Sequence, residues 1–114
     1  MTIAEFFKDE KGNIKAVNCH GHAGYDTIGK DIVCAAISAM VGSCALGLKE
    51  VAKINIDYFN NEEKGECKIA LPKHLSENAM KNAQILLKTL QVSLLDLEKG
   101  YKKYLKVKEY NYVY

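Results

Sequence analysis

The chain has 114 residues, of which 48% are hydrophobic and 26% charged, and its formal net charge at pH 7 is +2. This size and composition predict one globular domain over residues 1–114, able to remove roughly two-thirds of its unfolded surface from water without a disulfide or a metal. The net charge is too small to indicate binding to nucleic acid or to a membrane, so we expect neither as a partner.

Cysteine use and the first residues indicate a reducing compartment. Four cysteines occur without a Cys-x-x-Cys pair: Cys19, Cys34, Cys44 and Cys67. Because the N-terminal residues also lack the basic and apolar pattern of a signal peptide, we expect free thiols in a cytoplasmic protein. Cys44 and Cys67 are predicted to pack in the core. The segment Cys19–His22 contains two types of zinc ligand but has no second ligand cluster, so we expect no metal and no cofactor.

Two segments near the N-terminus predict a β-hairpin, because Thr2–Lys8 and Ile14–His20 both alternate and a polar, glycine-containing segment joins them. A glycine-containing loop then leads into a helix predicted from about Asp31 to about Ala52. Apolar residues surround the axis of this helix, which predicts burial on several sides. Its charge-free stretch, Ile32–Leu48, is shorter than the roughly 20 residues of a membrane span, so a core helix is predicted.

The second half of the chain repeats this order of elements. Ile54–Phe59 and Glu66–Leu71 alternate and predict a second hairpin, with one face of the Ile54–Phe59 strand buried. Ser76 is predicted to cap a long amphipathic helix that ends at Gly100, and the Tyr104–Tyr114 segment predicts a short last strand. The order β-β-α-β-β-α-β predicts an α+β fold: a mostly antiparallel sheet packed by a buried central helix and an amphipathic second helix.

The junction between the glycine loop and the first long helix carries the candidate chemistry. With Asp31 as the N-cap, Cys34 lies in the first helical turn, where unpaired N–H groups and the helix dipole favour a thiolate. His22 lies twelve residues earlier and can fold back to act on the thiol as a general base. Glycines give this loop its hinges: Gly21, Gly24 and Gly29.

The local pattern leaves alternatives open at three positions. Cys34 is equally well explained as a small apolar residue of a core helix and as a nucleophile. Asp31 caps the helix, and it also orients His22 if the ring lies between the carboxylate and the thiol. Ser38 either bonds back to a helical carbonyl or donates a hydrogen bond at the site.

One motif resembles a known family: Gly21-His22-Ala23, then Gly29-x-Asp31-Ile32-Val33-Cys34-Ala35-Ala36, then Ser38. These residue types and spacings are similar to those of the ribosomal-processing cysteine protease family (Prp, YsxB-like). The resemblance implies a small bacterial endopeptidase that removes the N-terminal extension of a large-subunit ribosomal protein, the twenty-seventh in the usual numbering. It implies Cys34 as nucleophile, His22 as general base, supporting roles for Gly21, Asp31 and Ser38, and a homodimer.

The chemistry expected on this resemblance is acyl transfer, with the oxyanion held by backbone N–H groups at the helix start. A second hypothesis is a non-catalytic, ribosome-associated module that captures an extended peptide at a sheet edge. A zinc or thiol-redox protein is a third hypothesis.

Overall fold

The computed structural model describes residues 1–111, and its elements follow the predicted order. They are β1 (Thr2–Lys8), β2 (Ile14–His20), α1 (Ile32–Leu46), a π-helical turn (Gly47–Val51), β3 (Asp57–Asn61), β4 (Glu66–Ala70), α2 (Glu77–Gly100) and β5 (Leu105–Tyr110). The strands form one sheet in the order β3-β4-β2-β1-β5, antiparallel throughout except for the parallel β1–β5 pair. The predicted α+β fold is confirmed, and residues 112–114 of the predicted last strand lie outside the described residues.

Both helices pack against one face of the sheet and against each other. The stripe on α2 is buried as its spacing predicts, with Leu87 and Leu94 completely inaccessible to solvent. Gln84, on the same helix, is buried, and its side-chain amide forms two hydrogen bonds with the backbone of Ile14. Oε1 accepts from the Ile14 N–H and Nε2 donates to the Ile14 carbonyl, both at 2.8 Å or less. This pair of bonds fixes α2 to the start of β2.

The prediction that the first long helix is covered on several sides is wrong. Its buried residues, including Val33, Ile37 and Val41, lie toward the sheet and α2, whereas Ile32 and Leu46 are 56% and 62% exposed. Since the described chain has only these two long helices, nothing in it covers the outer side of α1. Ile32–Val51 is long and apolar enough to cross a membrane, but a core helix passes the same test, and α1 packs against α2 and β4.

The strand predicted over Ile54–Phe59 is also displaced along the chain. The observed strand is β3 (Asp57–Asn61), and Asp57–Asn60 are exposed along it, so it has no buried face. Ile54 and Ile56 are buried before the strand begins, in the connection that leaves the π-helical turn. β3 is an edge strand of the sheet, so it lies beyond the cover that the helices provide.

Candidate active site

Asp31 organises the junction between the loop and α1. Its Oδ1 accepts hydrogen bonds from the N–H groups of Val33 and Cys34, both at 2.9 Å, which confirms the predicted N-cap. Its Oδ2 accepts from the N–H groups of Tyr25 at 2.9 Å and Asp26 at 3.4 Å. Burial alone would raise the pKa of this carboxyl, but the hydrogen bonds outweigh burial and leave the pKa below its usual value. One carboxylate therefore holds both the helix start and the loop.

Cys34 lies in the first turn of α1 and is partly buried. Its Sγ accepts a hydrogen bond from the N–H of Ala23 at 3.2 Å. Burial and the neighbouring Asp31 carboxylate raise the pKa of the thiol, and the Ala23 bond only partly opposes them. In this arrangement Asp31 occupies the helix-start N–H groups that were expected to favour a thiolate, and its charge contributes to a thiol pKa above the ordinary value.

His22 follows β2 and turns toward the hairpin between β3 and β4. Its Nε2 is 2.9 Å from the carbonyl oxygen of Glu63, to which it donates a hydrogen bond. The carboxylate of Asp31 is engaged by backbone N–H groups, so the predicted orientation of His22 by Asp31 is not what this structure contains. In this conformation Nε2 carries the proton that is donated to the β3–β4 hairpin, so Nδ1 is the ring nitrogen that can accept a proton, as a general base must.

Two glycines allow the close approach that places His22. Gly21 has φ +88°, and a Cβ there would lie 2.6 Å from the carbonyl oxygen of Met1. Thr2 also donates its hydroxyl to the Gly21 carbonyl at 2.8 Å, which fixes the end of β2 against the start of β1. Gly65 has φ +62°, and a Cβ there would lie 3.1 Å from Nδ1 of His22. Side chains at either position would therefore displace the histidine.

A cavity of ≈ 230 Å³, called the cleft below, lies between the loop, the start of α1 and the β3–β4 hairpin. Its lining includes His22, Asp31, Cys34, Ser38, Asn61 and Gly65. Gly21 and Gly29 also line it, whereas Gly24, with φ +78°, lies on the exposed part of the loop. The structure thus gathers the predicted site residues around one cavity, with Gly24 outside it.

Three contributors to the site were missed by the sequence analysis. Ala23 supplies the N–H that contacts Cys34, and Glu63 supplies the carbonyl that holds His22. Tyr25 packs edge-on against Tyr101 and Tyr104, with ring centroids 5.8 and 5.2 Å apart, and so fixes the loop to the connection after α2. The first two act through backbone atoms, which leave no mark in residue type. Within residues 1–111, no three His, Cys, Asp or Glu side chains are grouped for a metal ion.

Comparisons with known proteins agree with this fold. Residues 1–106 match the family described as cysteine protease Prp. A Bacillus subtilis (strain 168) protein named ribosomal processing cysteine protease Prp is 31% identical over 107 residues, which span 94% of this chain and 96% of that protein.

Solved structures share the architecture. The S. aureus ribosomal processing protease Prp, in complex with a covalently linked product peptide, has a TM-score of 0.84 at 24% identity and covers 96% of this chain and 99% of its own. The SMU.848 protein from Streptococcus mutans has a TM-score of 0.81 at 23% identity and covers 97% of this chain and 95% of its own.

The fold, together with a cysteine in the first turn of a helix that opens on a cleft, defines a small α+β cysteine protease. The chain belongs to the cysteine protease Prp family, which its match over residues 1–106 establishes.

Proposed function

We propose that this protein is an endopeptidase that removes the N-terminal extension of a large-subunit ribosomal protein, the twenty-seventh in the usual numbering. Ribosomal processing is supported by the name of the Bacillus subtilis relative. The observation that carries the proposal is the position of Cys34 at the start of α1, where its Sγ meets the Ala23 N–H in a cleft that His22 also lines. Such a cleft suits an extended peptide with its scissile carbonyl against the sulfur.

The mechanism is acyl transfer through Cys34 with His22 as general base. The pKa of the Cys34 thiol is raised by burial and by Asp31, so the thiol needs a base to take its proton. The Glu63 carbonyl holds the proton on Nε2 of His22, so Nδ1 takes the thiol proton and returns it to the leaving amine. The sulfur attacks the carbonyl carbon, the C–N bond breaks, and water hydrolyses the resulting thioester.

The oxyanion of the tetrahedral intermediate needs backbone donors other than those first expected. The N–H groups of Val33 and Cys34 at the helix start are bonded to Asp31, so they are not free to bind it. The Ala23 N–H is 3.2 Å from Sγ, and once the sulfur is bonded to carbon, this donor turns to the adjacent oxygen. Asp31 positions Cys34 and the loop, Gly21 positions His22, and Ser38 lines the cleft one turn after the nucleophile.

The proposed assembly is a cytoplasmic homodimer. The four free thiols support a cytoplasmic location. Ile32, Ala39 and Leu46 repeat every seven residues on the exposed side of α1, which is an apolar surface suited to a second copy. Light scattering should give twice the 12.7 kDa chain mass for the wild type and the monomer mass for Leu46→Glu. A monomeric wild type at micromolar concentration would rule out this assembly.

A second candidate function is peptide binding without cleavage. The edge strand β3 is exposed along most of its length, and its residues Asn60 and Asn61 line the cleft. An extended peptide can pair with such an edge through main-chain hydrogen bonds. This candidate predicts equal peptide affinity for the wild type and Cys34→Ala, with no turnover by either.

The test is cleavage of a synthetic peptide that spans the extension and its junction, followed by mass spectrometry. The wild type should cut it, Cys34→Ala should not, and His22→Ala should be about 10²–10⁴-fold slower through loss of the base. Matched controls are Cys44→Ser and His74→Ala, which lie outside the cleft and should retain cleavage. Cleavage by Cys34→Ala at the wild-type rate would overturn the proposal.

A further inference from the structure

Two of the free cysteines lie side by side in the floor of the cleft. Cys19 on β2 and Cys67 on β4 are paired across the antiparallel ladder. Residues directly opposite each other in a sheet point to the same face. Cys19 is 2% exposed and Cys67 8% exposed, and both line the cleft. Proteolysis as proposed above uses neither thiol.

The register puts these two residues within reach of a disulfide. The Leu71 N–H donates to the Lys15 carbonyl at 2.9 Å, so hydrogen-bonded pairs recur at every second position from there, and Cys19–Cys67 is one of them. Such a pair has Cα atoms about 5.5 Å apart, inside the 4.4–6.8 Å range of disulfides. The Cβ atoms of a hydrogen-bonded pair are about 5.5 Å apart, beyond the roughly 3.5–4.5 Å of ordinary disulfides, so the two strands must approach slightly and the bond is strained and readily reduced.

The chemistry of the two thiols is complementary. A hydrogen bond from Cys19 lowers the pKa of the Cys67 thiol, against the effect of burial. The same bond, followed by burial, raises the pKa of the Cys19 thiol. Cys67 is also the more exposed of the two, so it is the thiol that a small oxidant in the cleft reaches first, and Cys19 is the partner that completes the disulfide.

We propose that Cys19 and Cys67 form an oxidation site, at which a peroxide small enough to enter the cleft produces a reversible cross-strand disulfide. The Cys67 thiolate attacks one peroxide oxygen, the O–O bond breaks, and a sulfenic acid and hydroxide form. The Cys19 sulfur then attacks the sulfenic sulfur and loses its proton, so that water leaves and the S–S bond forms. Overall, two thiols and one hydrogen peroxide give one disulfide and two waters, and a small dithiol reverses the reaction.

The disulfide also bears on catalysis, a consequence that rests on the proposed function. His22 follows β2 shortly after Cys19, and its partner Glu63 lies in the turn that enters β4 before Cys67. A covalent bond between β2 and β4 holds the histidine against that turn. The imidazole then has less freedom to approach Cys34, so the oxidised protein cleaves peptide several-fold more slowly than the reduced protein.

Peptide mapping tests the oxidation site without any assay of activity. The full chain is treated with hydrogen peroxide, alkylated and digested with trypsin. Cys19 falls in residues 16–30, Cys67 in residues 65–68, and Cys34 and Cys44 together in residues 31–49. We expect residues 16–30 joined to 65–68, with a mass two hydrogens below their sum, and separation by dithiothreitol. An unlinked, alkylated 65–68 peptide, or its linkage to 31–49, would overturn the proposal.

The expected slowing of peptide cleavage by the disulfide is tested with a separate control. Peroxide also oxidises Cys34, so each protein is compared before and after oxidation and again after dithiothreitol. Oxidation should slow the wild type several-fold more than Cys19→Ser, which cannot form the bond, and dithiothreitol should remove that difference by restoring the wild-type rate. Equal slowing of the two proteins would overturn the catalytic consequence. Failure of cleavage by the reduced wild type would count against the proposed function alone, because the peptide map does not depend on it.

Discussion

At the scale of single residues, the site depends on a carboxylate with two tasks. Asp31 caps α1 through one oxygen and holds the loop through the other. The cost is a negative charge beside Cys34, which contributes to the raised pKa of the thiol. Asp31 therefore fixes the position of Cys34 but disfavours its thiolate, so another group must remove the thiol proton.

Asp31→Asn separates these two effects. The amide oxygen still accepts the helix-start N–H groups, but the amide nitrogen cannot accept from Tyr25 or Asp26. We expect a loss of roughly 1.5–3 kcal/mol in the free energy of unfolding and a lower pKa for the Cys34 thiol. Denaturant unfolding measures the first, and the pH dependence of Cys34 alkylation measures the second.

The control for this variant is Asp26→Asn, since the Asp26 side chain is exposed and, among residues 1–111, bonds only to Thr27. It should change the free energy of unfolding by no more than about 0.5 kcal/mol and leave the alkylation profile unchanged. An alkylation midpoint for Asp31→Asn at or above the wild-type pH would show that the carboxylate does not suppress the thiolate.

Gly21→Ala tests the close approach that positions His22. Both Gly21 and Gly12 have positive φ, so alanine at either costs about 1–2 kcal/mol in backbone energy. Only at Gly21 does the new Cβ also meet the Met1 carbonyl, whereas nothing lies within 4 Å at Gly12. Thermal or denaturant unfolding should therefore show a larger loss for Gly21→Ala than for Gly12→Ala, and equal losses would contradict the structure.

At the scale of elements, the hydrophobic pattern of the sequence predicts a strand or helix correctly where the buried side of that element follows the pattern. β1, β2 and α2 were predicted correctly because alternation and the three-to-four spacing coincide with their buried sides. Ile54 and Ile56 were misleading because their burial comes from a connection that crosses the core before β3 begins. The same limit applies to α1, whose exposed side is as apolar as its buried one, so composition could not indicate which side the sheet covers.

The contact between α2 and β2 is the test at this scale. Replacing Gln84 by Leu keeps a side chain of similar size but removes the amide, and so leaves the Ile14 N–H and carbonyl buried without their partners. Each unsatisfied group costs about 1–3 kcal/mol, so the free energy of unfolding should fall by a few kcal/mol. Gln91→Leu is the control, because within the described part of the chain the Gln91 side chain bonds only to exposed Glu109. Similar stability of the two variants would show that the buried bonds contribute little.

At the scale of the whole molecule, the cleft exists because distant parts of the chain converge. The sequence motif was sufficient to predict His22, Asp31 and Cys34 as site residues, because all three lie within one short stretch of sequence. The hydrogen bond from His22 to the Glu63 carbonyl joins residues 41 positions apart, and no local rule predicts it. The paired Cys19 and Cys67 likewise become neighbours only through the register of β2 and β4.

Cleavage also belongs to this scale, since the peptide must lie in the cleft that His22 and Cys34 both line. With the peptide bound, Nδ1 of His22 can take the Cys34 proton while Nε2 keeps its bond to Glu63. The acyl group should then reside on one sulfur during each turnover.

Trapping that intermediate tests the central claim most directly. The junction peptide is mixed with excess wild-type protein, quenched in acid within the first turnover, and the protein is mapped by fragment mass spectrometry. We predict a thioester of the N-terminal product on Cys34 that hydroxylamine removes. An acyl group on Cys19, Cys44 or Cys67, or peptide cleavage while Cys34 remains fully open to alkylation, would contradict the account.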